Sequence, residues 1–129
     1  MASRNTEDLH PDLQPLAKKF EAECAKEGVT ALIYMTYRPD KEQDELYALG
    51  RTKPGKKVTN AKGGKSDHNF TINGKPASKA FDAVPLIHGK AVWNDATLWA
   101  KMGKVAARVG LQWGGNWKGF VDKPHFYIS

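Results

Sequence analysis

The stretch VTALIYMTY, residues 29–37, runs nine positions without a charge, and most of its side chains are β-branched or aromatic. Such a run reads as a buried strand. It must find pairing partners and apolar cover elsewhere in the chain. Cover is close at hand. Leu13, Leu16, Ala17, Phe20 and Cys24 recur at helical spacing and form a core stripe. The helix they predict covers residues 11–26. Pro11 suits its first turn, where a missing N–H costs nothing, and Gly28 suits its stop.

After the strand, Arg38-Pro39 turns the chain into a second predicted helix over residues 40–49, with Leu46 and Leu49 inward and Gly50 as its stop. Residues 51–65 then change character. Lys53, Lys56, Lys57, Lys62 and Lys65 alternate with Pro54, Gly55, Gly63 and Gly64, a basic loop with little to offer a core. Two short strands are expected near 69–72 and 80–84, with a turn at Asn73-Gly74. A loop over 85–92 leads to a third helix, capped by Asn94 or Asp95 and closed by Gly110. Its apolar face is Leu98, Met102, Val105 and Val109, with Trp99 and Ala106 beside it. The remainder, LQWGGNWKGFVDKPHFYIS, reads as strand, glycine turn, strand. Residues 1–10 read as a loose arm. No repeat is visible, and helices mixed with short antiparallel strands predict a single α+β domain over residues 1–129.

The chain carries a net charge of +6, which favours a polyanionic partner: nucleic acid, an anionic membrane face or the cell wall. No stretch approaches the roughly 18 apolar residues of a membrane span. The first twenty residues lack the basic-then-apolar build of a signal peptide, so synthesis in the cytoplasm is expected. A single cysteine, Cys24, excludes an intramolecular disulfide and a cysteine-based metal site.

Of four histidines, His10 precedes Pro11 at a helix start and His88 lies at a turn tip, so both read as structural. His68 is different, because it sits in a polar loop running into a strand. Asp82 places one carboxylate in the apolar run Ala80-Phe81-Asp82-Ala83-Val84, where it needs a cation, a donor network or a metal. With His125 these make a two-histidine, one-carboxylate set of the kind that suits zinc, leaving a position open for water. Asp122, three residues before His125, would then lie close enough to take a proton from an attacking water and pass it to a leaving amine. Read locally, Asp122 is more readily a turn residue before Lys123-Pro124.

Taken together, Tyr37-Arg38-Pro39 with Glu42-Gln43 and Leu46-Tyr47, Gly50-Arg51-Thr52 through Val58-Thr59-Asn60-Ala61, Ser66-Asp67-His68-Asn69, Ala80-Phe81-Asp82, Trp113-Gly114-Gly115 and Asp122-Lys123-Pro124-His125-Phe126 resemble the M15 family of zinc peptidases. That family comprises D-Ala-D-Ala carboxypeptidases and L-alanyl-D-glutamate endopeptidases. The resemblance implies the hedgehog/DD-peptidase-like fold, a small antiparallel sheet with flanking helices. It implies Zn2+ held by His68, Asp82 and His125, Asp122 as catalytic base, and Arg38 as the guanidinium that polarises the scissile carbonyl or holds a substrate carboxylate. Ser66 and Gln43 follow as candidate substrate contacts. The family pattern Ser-x-His-x-x-Gly-x-Ala-x-Asp leaves six positions between histidine and aspartate, whereas residues 69–81 intervene here. A hairpin-like insertion with Asn73-Gly74 at or near its tip accounts for the excess. Asp67 is the alternative carboxylate. It adjoins His68, and adjacent side chains on a strand point to opposite faces, so Asp82 is preferred.

The implied function is zinc-dependent hydrolysis of the peptidoglycan stem peptide, with the L-Ala–D-Glu bond as the expected target and D-Ala-D-Ala carboxypeptidase activity as the alternative. The implied setting is a phage endolysin: a monomer held in the host cytoplasm until lysis, then acting on the wall, with no stable membrane association. Two readings from other classes stand beside it. One is a non-catalytic module that binds wall polymer or nucleic acid through the basic loop and Trp93, Trp113 and Trp117, although no nucleic-acid motif appears. The other is a cysteine hydrolase built on Cys24.

Overall fold

The computed structural model describes residues 2–119 and 121–129. The uncharged run forms β1, Thr30–Met35, and it is flanked in sequence by α1, Gln14–Lys26, and α2, Asp40–Ala48. Helix α1 starts three residues later than the proline at 11 predicts. Pro15, not Pro11, occupies the first turn, and residues 11–13 form a separate turn. The third helix, α3, is Ala96–Val109. Asp95 caps it by accepting from the Leu98 amide at 3.1 Å, and Gly110 ends it at φ 95°, a left-handed conformation that costs glycine nothing.

Residues 71–91 hold more strand than the sequence suggests. Thr71–Ile72 (β2) and Lys75–Pro76 (β3) pair only with each other, across a turn in which Asn73 and Gly74 both have positive φ. This is the expected hairpin, but the following strand is not its partner. That strand, β4, runs Ala80–Ile87 and joins a different sheet. The loop expected over 85–92 is instead the end of β4, a tight turn at His88-Gly89, and β5, Lys90–Ala91. Pro85 misled the reading. A proline inside a strand weakens the pattern, yet here its carbonyl simply accepts from the Val92 amide at 2.9 Å.

The main sheet is antiparallel, in the order β1-β4-β7-β6 with β5 on β4; β6 is Gln112–Trp113 and β7 is His125–Tyr127. In the β4–β7 ladder Phe81 faces Phe126 and Asp82 faces His125. Strand side chains alternate faces, so this register does two things at once. It sends both phenylalanines into the core against Phe20 of α1, with ring centroids 4.7–5.6 Å apart. It sends the aspartate and the histidine to the other side. Helix α3 completes the core with Trp99, Met102, Val105 and Ala106.

Residues 2–10 are not a loose arm. Ser3 exchanges main-chain hydrogen bonds with Tyr37 (2.8 Å) and Thr36 (2.7 Å), and the His10 amide donates to the Ser78 carbonyl at 2.8 Å. Leu9 is 1 % exposed and belongs to the core. The sequence signal was this one buried leucine, outvoted by its polar neighbours.

Candidate metal centre and catalytic cleft

Three elements deliver three candidate ligand atoms. His68 lies in a single 3-10 turn, Asp67–Asn69, capped by the Ser66 hydroxyl, which accepts from the His68 amide at 3.2 Å. Its ring Nδ1 sits 2.9 Å from the Thr36 carbonyl. A carbonyl only accepts, so Nδ1 carries the proton and Nε2 turns a lone pair towards the cleft. Asp82 comes from β4 and His125 from β7. His68 Nε2 lies 3.2 Å from Asp82 Oδ1 and 3.2 Å from His125 Nδ1, and His125 Nδ1 lies 3.5 Å from Asp82 Oδ1. Ligand atoms on a tetrahedral ion with bonds of 2.0–2.1 Å stand about 3.3 Å apart. The triangle therefore fits a zinc-sized ion. Two ring nitrogens and a carboxylate oxygen converging this closely can share one cation.

The electrostatics agree with the geometry. Burial alone pushes the Asp82 carboxyl up, but the two imidazoles more than reverse this and hold it well below the usual carboxylate range. Asp67 stands 4.0 Å from His125 Nε2, the nitrogen that faces away from the triangle. It occupies a 3-10 turn rather than a strand, so strand alternation is not what sets its direction. The three atoms that converge belong to His68, Asp82 and His125.

These residues form the floor of a cleft of about 530 Å³, whose walls include Tyr34, Arg38, Thr59, Lys65, Ser66, Trp117 and Asp122. Asp122 is fixed by its turn. Its amide donates to the Gly114 carbonyl at 3.0 Å, and its carbonyl accepts from the His125 amide at 3.2 Å. The Trp113 indole donates to the Lys123 carbonyl at 2.7 Å and pins the same turn. A Cβ on Gly114 would lie 2.4 Å from the Asp122 carbonyl oxygen, so only glycine admits this approach. Burial raises the Asp122 carboxyl above its ordinary value; the Asp82 charge adds to this, while the imidazoles and Arg38 oppose it. A carboxylate so placed is a better proton acceptor than a solvated one.

Arg38 lies on the cleft wall and donates to Gln43 Oε1 at 2.8 Å. Gln43 itself is fully buried and does not line the cleft. Its amide nitrogen donates to Thr59 Oγ1 (3.2 Å) and the Ala61 carbonyl (2.8 Å), so it ties Arg38 to the basic segment. The sequence assigns Asn69 and Thr36 no role in the site. The Asn69 side-chain Nδ2 donates to the Arg38 carbonyl at 2.8 Å, and the Arg38 main-chain amide donates to the His68 carbonyl at 2.9 Å, which locks the arginine to His68. For Asn69 the available signal was a polar residue next to a candidate ligand; Thr36 acts on His68 through its carbonyl, which no side-chain pattern announces. Trp117 packs its ring 5.0 Å from His125 and donates from Nε1 to the Tyr127 hydroxyl at 2.8 Å. Cys24 is buried in the core, and burial pushes its thiol up to about 12. It does not line the cleft and cannot serve as a nucleophile there.

Residues 59–128, from the cleft wall through the last ligand, match the family profile Peptidase_M15_4, described as D-alanyl-D-alanine carboxypeptidase. The chain is 38 % identical over 127 residues to the peptidoglycan L-alanyl-D-glutamate endopeptidase CwlK of Bacillus subtilis (strain 168), covering 92 % of this chain and 72 % of that protein. Its fold is similar to the crystal structure of the L-Ala D-Glu endopeptidase ChiX of Serratia marcescens, with a TM-score of 0.72 at 22 % identity, over 100 % of this chain and 89 % of that one. The chain therefore belongs to the M15 family of peptidases, a metallopeptidase family.

Proposed function

We propose that this chain is a zinc-dependent peptidoglycan endopeptidase that cleaves the L-Ala–D-Glu bond of the stem peptide. One observation carries the reading: a ligand triangle of 3.2, 3.2 and 3.5 Å shares a cleft with a carboxylate and a guanidinium. The choice of bond rests on the 38 % identity to an enzyme named for it. His68, Asp82 and His125 would hold the zinc, which when bound supplies Lewis acidity towards water and the substrate carbonyl. Asp122 takes a proton from the attacking water and returns it to the leaving amine, the role its raised proton affinity suits. Arg38, held in place by Gln43, faces the negative charge that grows on the carbonyl oxygen. Ser66 shapes the His68 turn and offers the substrate a hydroxyl at the cleft wall.

The decisive assay is release of soluble peptides and new amino termini from purified peptidoglycan. Cleavage should stop with a chelator and return with zinc, and fragment masses should place the new amino terminus on D-Glu. Release of terminal D-Ala alone would move the reading to the carboxypeptidase after which the family profile is described. No cleavage by a folded, zinc-loaded protein would overturn it in favour of a binding module. We further infer that the chain works as a monomeric, single-domain phage endolysin. A net charge of +6 and an exposed lysine-rich segment beside the cleft suit approach to an anionic wall. Cells producing it should lyse only once the inner membrane is opened; lysis without that step, or none with it, rejects this setting.

A further inference from the structure

Tyr34 is a cleft residue that neither the ligand set nor the base and arginine roles account for. It sits at an irregularity in the sheet. Ile33 pairs with Ala83, but Met35 pairs with Asp82, so two residues of β1 span a single step of β4 and Tyr34 is the extra one. Tyr34 lies on the face of β1 opposite the buried Ala31, Ile33 and Met35, and the bulge sets it beside Asp82, a residue of the ligand set. The ring is fixed by an edge-on contact with Trp93, 5.9 Å between centroids, and Trp93 in turn packs on Trp99 of α3.

The hydroxyl is what makes the placement chemical. Among the described residues no side chain or main-chain group hydrogen-bonds to it, and it opens on the cleft with Asp82, Asp122 and Arg38. A half-buried phenol normally finds a partner. A group that stays in its rotamer with no partner of its own is ready for one that arrives with the substrate. The nearby carboxylates cannot help an oxygen gaining negative charge, since both only accept. Tyr34 and Arg38 are donors on the wall that also carries Asp82 and Asp122. Burial first, then the charges of Asp82 and Asp122, push the phenol above its ordinary value, so it keeps its proton at any working pH.

We propose that Tyr34 is a further catalytic residue: its hydroxyl donates, alongside Arg38, to the carbonyl oxygen of the scissile peptide as that oxygen becomes an oxyanion. No proton is transferred; the bond shortens as charge builds, and relaxes when the amine leaves. The inference rests on the peptidase reading above.

The test is Tyr34→Phe, which keeps the ring against Trp93 and removes one oxygen atom. Wild type is measured first on a defined stem peptide; if it does not cleave, the peptidase reading fails and Tyr34 with it. Given wild-type cleavage, the variant should lose about 100-fold in kcat, the scale of one lost oxyanion donor. KM, metal content and melting temperature should stay within error. A phosphinate dipeptide analogue, tetrahedral and anionic, should bind the variant at least tenfold more weakly, with product affinity unchanged. A kcat within twofold of wild type overturns the proposal while leaving the peptidase reading standing. So does a shift in the acid limb of the pH–kcat profile, which would place the hydroxyl on Asp122 instead, or a fall in melting temperature that accounts for the lost activity.

Discussion

Asp82 is legible in the sequence because a charge inside an apolar run demands a partner, and His125 because the chain places it in an otherwise aromatic, β-prone segment. Thr36 is not legible as a site residue. It acts through its carbonyl, which every residue possesses, so no side-chain pattern announces it. Three substitutions separate the roles. Asp122→Ala should lower kcat by roughly 10²–10⁴-fold with metal content unchanged; a variant of near-normal activity would displace Asp122 as the base. His68→Ala and Asp82→Ala should instead lose metal, measured by elemental analysis of the purified protein. Full occupancy in the Asp82 variant would point to Asp67, which stands 4.0 Å from His125. Asp122 also carries a stability cost in the metal-free protein. Its folded carboxyl binds its proton more tightly than the ordinary value of 3.8 allows. Stability therefore falls as pH rises from about that value through the raised one, and the penalty is complete above it. Asp122→Asn should melt higher than wild type at pH 7 when both are metal-free, with the difference closing as pH drops below 4. An unchanged difference across that window would rule out the carboxylate as its source.

At the level of elements, helices α1 and α3 follow from apolar periodicity, and β1 from its uncharged run. Strand β4 was half-read because Pro85 looked like an ending, and the bulge at Tyr34 could not be read at all. A bulge is a property of two strands in register, and neither strand encodes it alone. The glycine pair after Trp113 shows the same dependence on a neighbour. Gly114 lies under the Asp122 turn with no room for a methyl group, the nearest obstacle being backbone at 2.4 Å. Gly114→Ala should destabilise the fold by about 1–3 kcal/mol, read by urea denaturation. It should also cut kcat by more than that loss of folded protein explains, because the displaced segment carries Asp122. Equal losses in stability and activity would mean that the turn tolerates the shift.

Across the whole molecule, the amino-terminal segment turns out to buttress the candidate metal centre. The Thr36 hydroxyl donates to the carbonyls of Ser3 (3.2 Å) and Asn5 (2.9 Å), while the Thr36 carbonyl orients His68. Groups that orient a metal-binding histidine commonly contribute 10–100-fold in metal affinity. Removing residues 2–5 should thus weaken zinc binding about tenfold in a competition titration, although none of them touches the ligand triangle. Unchanged affinity would show that β1 holds Thr36 without help. That link was hidden from a sequence reading, because the segment is polar, short of apolar periodicity, and anchored through main-chain atoms.

The small hairpin of β2 and β3 has a consequence for how such chains are found. It pairs only with itself, and a side chain at Gly74 would meet nothing within 4 Å. The chain can therefore lengthen or shorten there while Asp82 stays opposite His125. What is held constant is a cross-strand register, not a count along the sequence. A search pattern that fixes the number of residues between the first histidine and the aspartate measures the part of the molecule that is free to drift. One that asks for alternating core and ligand positions on two paired strands measures the part that cannot.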